Sequence, residues 1–221
     1  MINKMSWKSN WESHLIDKEF QKRFLFTIIF LTVSIFAFAN YLQYNETRNG
    51  FVFDDPILSL FNAIEFNAFI FILIYGALVL GVASLSFHPK ELIIALQTYA
   101  LLSLIRLVAM YSLPLEPPIG LIPLIDPFVQ FFGGGGTQLN KDLFFSGHTS
   151  TMFLLFLTSQ NKKLKTLFLG STFIVGASVL LQQTHYTVDV IAAPFFCYGA
   201  FRAVYLINQK LYGDLKNYGR V

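Results

Sequence analysis

Charge is scarce in this chain. Only 13% of its 221 residues are Asp, Glu, Lys or Arg, against 54% hydrophobic. Soluble domains carry about 25% charged residues, so a conventional water-soluble fold is excluded and a polytopic membrane protein is indicated. The formal net charge of +3 is too small to mark a nucleic-acid binder. A single cysteine, Cys197, rules out an intramolecular disulfide; it lies in an apolar run and reads as a small buried hydrophobe. No Gly-Lys-Ser/Thr follows the four glycines Gly133 to Gly136, so they read as a flexible turn and not as a nucleotide phosphate cradle. The N-terminus shows no small-residue cleavage site after its first apolar run, which is therefore expected to be a retained span. No internal repeat or second soluble domain is apparent.

What the chain has in abundance is long apolar stretches, including 25 phenylalanines. A membrane helix needs about 20 mostly apolar residues. Six stretches approach this: Phe24 to Leu42, Phe66 to Phe87, Leu92 to Leu113, a short one from Phe144 to Thr158, Leu164 to Leu181, and Val188 to Ile207. The expected fold is an all-α bundle of six transmembrane helices. A cytoplasmic N-terminal segment (1–23), the membrane domain (24–208) and a cytoplasmic tail (209–221) follow from it.

Basic residues sort by side. Lys4, Lys8, Lys18, Lys22 and Arg23 precede the first span, and Lys90 sits between the second and third. Lys162, Lys163 and Lys165 sit between the fourth and fifth, and Lys210, Lys216 and Arg220 follow the sixth. With six spans all of these fall on one side, which the positive-inside rule makes the cytoplasm. Only Arg48 and Lys141 occupy the other side, beside Glu46, Asp54, Asp55, Glu116, Asp126 and Asp142. Asp54, Asp55, Glu65 and Glu116 read as solvated loop carboxylates, and His14 and His88 as cytoplasmic surface residues. Arg202 reads as a snorkelling side chain. Trp7, Trp11 and Leu15 recur every four residues and fit either an interfacial helix or a lead-in packed on the bundle. Ile119 to Phe132, in a loop with five prolines, is apolar enough to lie along the membrane surface.

Two polar strings interrupt this apolar text: Ser146-Gly147-His148-Thr149 and His185-Tyr186-Thr187-Val188-Asp189. Titratable groups are costly near a bilayer core and mark functional sites. Both strings open spans that run inward from the extracytoplasmic face. His185 and Asp189, four residues apart, share a face if both lie on a first helical turn. The carboxylate then fixes the imidazole tautomer and leaves the other nitrogen as a nucleophile toward phosphorus. At the start of the fourth span, helix N–H groups favour an anion. There Gly147 admits close approach of a phosphate, Ser146 can donate to it, and His148 can act as general acid. Arg106 suits a forked contact to phosphate oxygens, with snorkelling as the alternative. Two His and one Asp are a thin set for a metal, and no metal or other cofactor is expected.

These residues carry a resemblance. Asp142-Leu143-Phe144-Phe145-Ser146-Gly147-His148-Thr149, His185-Tyr186-Thr187-Val188-Asp189-Val190, and the stretch from Ile105-Arg106 through Met110 to Glu116-Pro117-Pro118 resemble the sphingomyelin synthase branch of the type 2 phosphatidic acid phosphatase superfamily. The resemblance spans roughly the last two-thirds of the chain. It implies a metal-free triad in which His148 is the acid, His185 the nucleophile and Asp189 its orienter. It also implies transfer of a phospho-headgroup from a phospholipid to a lipid alcohol such as ceramide or diacylglycerol. The phosphatase branch carries an Arg after a Ser, six residues before its second histidine, where this chain has Ser178-Val179. It also has a Lys and then Arg-Pro, where Arg106 is here followed by Leu107. Both differences lean toward transfer. Hydrolysis by the same triad, as a lipid phosphatase or phospholipase C-like enzyme, is the alternative. A small transporter or scaffold would be expected to show helices broken near the midplane, and none is evident.

Overall fold

The computed structural model describes residues 7–126 and 139–213. The glycine run, Phe132 and the basic residues Lys4, Lys216 and Arg220 lie outside the described residues. Seven α-helices and no strand are present among the described residues: α1 (Trp7–Ile16), α2 (Lys18–Glu46), α3 (Asn67–Leu85), α4 (Pro89–Ser112), α5 (Gly147–Thr158), α6 (Lys162–Leu181) and α7 (Thr187–Tyr212), with a 3₁₀ turn at Leu58–Leu60.

Local signals set the helix ends. Asp17 caps α2 by accepting from the Glu19 N–H, and Asn161 caps α6 by accepting from Lys163 and Leu164. Pro89 opens α4, where a missing N–H costs nothing. Gly213, at φ 64°, closes α7 in the left-handed conformation. The helices alternate in direction so that the last turns of α2, α4 and α6 and the first turns of α3 and α7 gather at one end, here the upper end. There Arg48 bonds the carbonyls of Met110 and Tyr111, and the Ile64 N–H donates to Leu181 O.

Five helices (α2, α3, α4, α6 and α7) are long and apolar enough to cross a membrane. Their outward faces carry large apolar side chains: Phe36, Ile72, Phe173 and Phe195 stand 72–74 % exposed, which suits lipid and not water. The fourth expected stretch, Phe144 to Thr158, departs from the sequence reading. Only Gly147–Thr158 is helical, about 18 Å at 1.5 Å per residue, short of the ~30 Å hydrocarbon core. The chain enters α5 from above as non-helical backbone. At the upper end the Asn140 and Lys141 N–H groups donate to Glu46 at the end of α2 (2.8 and 2.6 Å), and Asn45 donates to Lys141 O. Six residues further on, α5 starts below the rim. Its last turn reaches the lower part of α3, where Leu155 lies so close to Gly81 that a Cβ there would meet its Cδ2 at 2.6 Å. Backbone not in helix is tolerated at such depth only when buried in protein, and here Leu143, Phe145 and Ser146 are all buried.

The core is centred on α5. Phe145 stacks on Phe196 of α7 with centroids 4.4 Å apart and 4° between planes. Met152, Leu155 and Val175 fill the side toward α3 and α6. Near the lower end, α2, α4 and α7 are joined by hydrogen bonds from Asn208 to Gln97 and from Gln97 to Thr27 (2.8 and 2.7 Å), which satisfy the Gln97 amide, a group that would be costly unpaired. Helix α1 is packed on this end: the Trp11 indole donates to Ser86 O at 2.7 Å and Asn10 to Phe87 O at 2.8 Å. Its Trp11 ring also meets the edges of Phe20 and Phe24. His14 and His88 lie at this lower end, and the Arg202 guanidinium sits over the Tyr205 ring.

Candidate active site

A cavity of about 610 Å³ opens among α2, α3, α4, α5 and the segment before α7. Arg106, Gly147, His148 and His185 line one side of it. The two polar strings therefore meet: the His148 and His185 rings have centroids 6.5 Å apart at 65°, a separation that leaves room for a phosphorus centre between them.

His185 is held firmly. Its Nδ1 lies 3.3 Å from Asp189 Oδ2, the geometry in which an Nδ1–H donates to the carboxylate and leaves Nε2 with the lone pair. Asp189 is wholly buried and His185 is 3 % exposed. The same Oδ2 accepts the Tyr186 backbone N–H at 3.2 Å, so Asp189 also caps the first turn of its own helix, as an acid three residues into a helix can. A second carboxylate, absent from the sequence reading of the site, completes this cap. Asp55, from the loop after α2, accepts the Thr187 N–H at 2.6 Å and the Thr187 hydroxyl at 3.1 Å. It also takes the N–H groups of Ile57 and Leu58. Burial alone would raise the Asp55 carboxyl, but these hydrogen bonds outweigh it and hold the group below the usual carboxylate range. Asp55, read from sequence as a solvated carboxylate, is thus a buried N-terminal cap of α7. A carboxylate is favoured there by the helix dipole as well.

The turn between α6 and α7 is pinned by two glutamines that also escaped notice. The Gln182 side chain accepts from Phe66 N–H and donates to Asn67 and to Ile122 O. The Gln183 side chain donates to Leu58 O and Phe61 O. Tyr186 does the same at the next position, donating to Glu116 O and accepting from Phe53 N–H. The only sequence signal for these three was their polarity beside apolar spans; their partners lie 60 to 133 residues away.

His148 is supported differently. It sits on the first turn of α5, with its ring meeting the Phe71 edge at 6.1 Å. Its buried Nδ1 has no hydrogen-bond partner among the described residues. Ser146 is the N-cap of α5 and wholly buried; its Oγ accepts from the Thr149 N–H (3.4 Å) and hydroxyl (3.1 Å). Its hydroxyl is thus turned into the helix it starts. The Ser146 N–H donates to Asp189 O at 3.0 Å, which ties the two strings together through backbone. Gly147 lies against Arg106, and a Cβ there would come within 2.7 Å of the guanidinium carbon. Any side chain there would push the guanidinium aside.

Arg106 is 8 % exposed, so it does not snorkel to the rim. Its Nε donates to Phe145 O at 3.1 Å, one terminal nitrogen pairs with Asp142 at 2.5 Å, and the guanidinium covers the Phe38 ring at 4.9 Å. The arginine is oriented by protein groups and still borders the cavity. Glu116, another outer carboxylate expected in solvent, bonds Lys141 and the Gly50 N–H, each at 2.8 Å.

Residues 141–207 match the family model described as PAP2 superfamily C-terminal. The matched stretch holds both histidines, Asp142 and Asp189. It supports kinship with the PAP2 superfamily, and with it a membrane enzyme of the phosphatase or phosphotransferase kind acting on lipid phosphate esters. No curated protein matches the chain.

Proposed function

We propose that this protein is a membrane lipid phosphotransferase of the sphingomyelin synthase type. It moves a phospho-headgroup from a phospholipid to a lipid alcohol, ceramide or diacylglycerol, through a phosphohistidine at His185. The observation that carries the reading is the pairing of His185 with a buried, helix-capping Asp189, opposite His148 across one cavity that Arg106 also lines.

In the first half-reaction the Nε2 lone pair of His185 attacks phosphorus. The bond from phosphorus to the glycerol oxygen breaks, and protonated His148 gives its proton to that oxygen, releasing diacylglycerol. The positive charge that develops on the His185 ring is stabilised by Asp189. Arg106 and the N-terminal N–H groups of α5 lie where negative charge builds on the phosphoryl oxygens. In the second half-reaction neutral His148 takes the proton of the acceptor hydroxyl as its oxygen attacks phosphorus. The phosphorus–nitrogen bond breaks, and both histidines return to their starting state. Ser146 serves by capping α5, and Gly147 by letting the helix meet Arg106.

The lower end carries Lys18, Lys22, Lys90, Lys162, Lys163, Lys165 and Lys210, so by the positive-inside rule it faces the cytoplasm and the site opens to the other side. In this reading α5, with the non-helical segment above it, makes the fourth of six crossings.

The test uses the purified full chain in bilayer vesicles with a headgroup-labelled phospholipid, with and without ceramide or diacylglycerol. Label passing to the acceptor lipid is the expected result. Label appearing only in a water-soluble product would make the enzyme a hydrolase with the same triad.

A further inference from the structure

The stripe Trp7, Trp11 and Leu15 lies at the lower end, far from the cavity, and the chemistry proposed above makes no use of it. Its middle is packed on the bundle. The Trp11 indole donates to Ser86 O and Asn10 to Phe87 O. The Trp11 ring meets the edges of Phe20 and Phe24, and the His14 ring lies against Phe20 with centroids 5.0 Å apart.

Those two carbonyls also set the depth of α1. They follow directly on α3, which has 19 residues and so runs about 28 Å at 1.5 Å per residue, close to the ~30 Å hydrocarbon core. The end of such a span lies where hydrocarbon gives way to headgroups, the level at which tryptophan collects in membrane proteins. Trp7 precedes Trp11 by one turn and shares its face, with ring centroids 6.3 Å apart. Yet Trp7 is 48% exposed, and Leu15, one turn beyond Trp11, is 44% exposed. The apolar stripe thus overhangs the bundle at both ends. Lys8, Lys18 and Lys22 stand exposed around it. The pairs of Lys8 with Glu12 and of Lys22 with Glu19 are themselves exposed, where such pairs hold weakly. Flexible stems let these ammonium groups reach headgroup phosphates.

We infer that α1 binds the phospholipid headgroup layer of the leaflet at the lower end. Trp7 and Leu15 enter the boundary between headgroups and acyl chains, the three lysines meet phosphates, and Trp11 holds the helix to the end of α3. Packing on the bundle and contact with the membrane therefore occupy different parts of one stripe. The inference does not depend on the phosphoryl chemistry at the upper end.

Trp7 and Trp11 are the two tryptophans of the chain, so tryptophan fluorescence reports on α1 alone. The test compares the full wild-type chain with Trp7→Phe, which leaves the Trp11 bond to Ser86 in place; the difference between them is the signal of Trp7. Both are placed in vesicles whose phospholipids carry a nitroxide either just below the headgroup or near the chain end. The shallow label should quench Trp7 more than the deep one, at a depth of about 5–10 Å into the headgroup–acyl boundary. Iodide on both sides of the membrane should quench it less than free tryptophan. Trp7→Phe should remove most of the shallow quenching seen in wild type. Quenching by iodide as strong as for free tryptophan, with none from either nitroxide, would place Trp7 in water and overturn the inference. Stronger quenching by the deep label would place it in the hydrocarbon core, and protection from nitroxides and iodide alike would mean that protein, such as a second copy, covers it; each would overturn the inference. So would shallow quenching that is unchanged in Trp7→Phe.

Discussion

His185 and His148 line the same cavity, but the chain supports them by different means. Behind His185 stands a buried carboxylate, and behind that a helix start capped from a distant loop by Asp55. His148 has no such partner at Nδ1 among the described residues; backbone holds it in place, with Ser146 capping its helix and Gly147 seated on Arg106. A group that must attack phosphorus gains from a fixed tautomer and a counter-charge. A group that gives a proton in one half-reaction and takes one in the next gains from neither state being locked. The difference in support therefore matches the proposed difference in role.

The largest expected effect comes from His185→Ala, which should abolish turnover and covalent labelling together. His148→Ala should lower turnover by about 10²- to 10⁴-fold, the usual weight of general acid catalysis. It should still let residue 185 become labelled from a donor whose leaving group is a nitrophenol and needs no proton. Equal loss of labelling with that donor in both variants would erase the distinction between the histidines. Asp189→Asn should cost up to about 10⁴-fold, by analogy with the orienting acid of serine proteases, with folding measured alongside because the residue also caps α7. Gly147→Ala should lower kcat by about 10²-fold or more by displacing Arg106, a loss of the size seen for one oxyanion donor; unchanged kcat would remove Arg106 from the account.

Asp55→Ala is expected to act mainly on stability, at about 1 kcal/mol for a lost cap, read as a lower thermal midpoint in detergent. The sign with pH follows from the depressed carboxyl. Its contribution is fully present above the ordinary carboxylate pKa of about 3.9 and is lost as pH falls through its lower folded value. Asp55→Asn should therefore flatten the acid limb of the stability profile; an unchanged acid limb would mean that Asp55 carries no such linkage.

Much of this was legible before any coordinates. His185 and Asp189 are four residues apart, and helical geometry alone makes them neighbours. That His148 joins them followed from lysine placement and span parity, and the cavity does bring the rings together. The short stretch from Phe144 was started three residues before the helix because Phe144 and Phe145 are as apolar as a helix interior, although they belong to non-helical chain. Asp55, Gln182 and Gln183 were missed for another reason. Their meaning lies in partners far along the chain, and nothing near Asp55 distinguishes it from its neighbour Asp54. Ser146 was read as a phosphate donor, and a helix N-cap calls for the same side chain; here it caps α5, is wholly buried and is not among the residues lining the cavity.

The most direct test is to mix the full chain in vesicles with headgroup-labelled phospholipid, without acceptor, quench it, and locate the label on the protein. The account predicts a phosphoramidate at residue 185, labile to acid and stable to base, that disappears when a lipid alcohol is added. Label on any other residue, or the same labelling in His185→Ala, would contradict it.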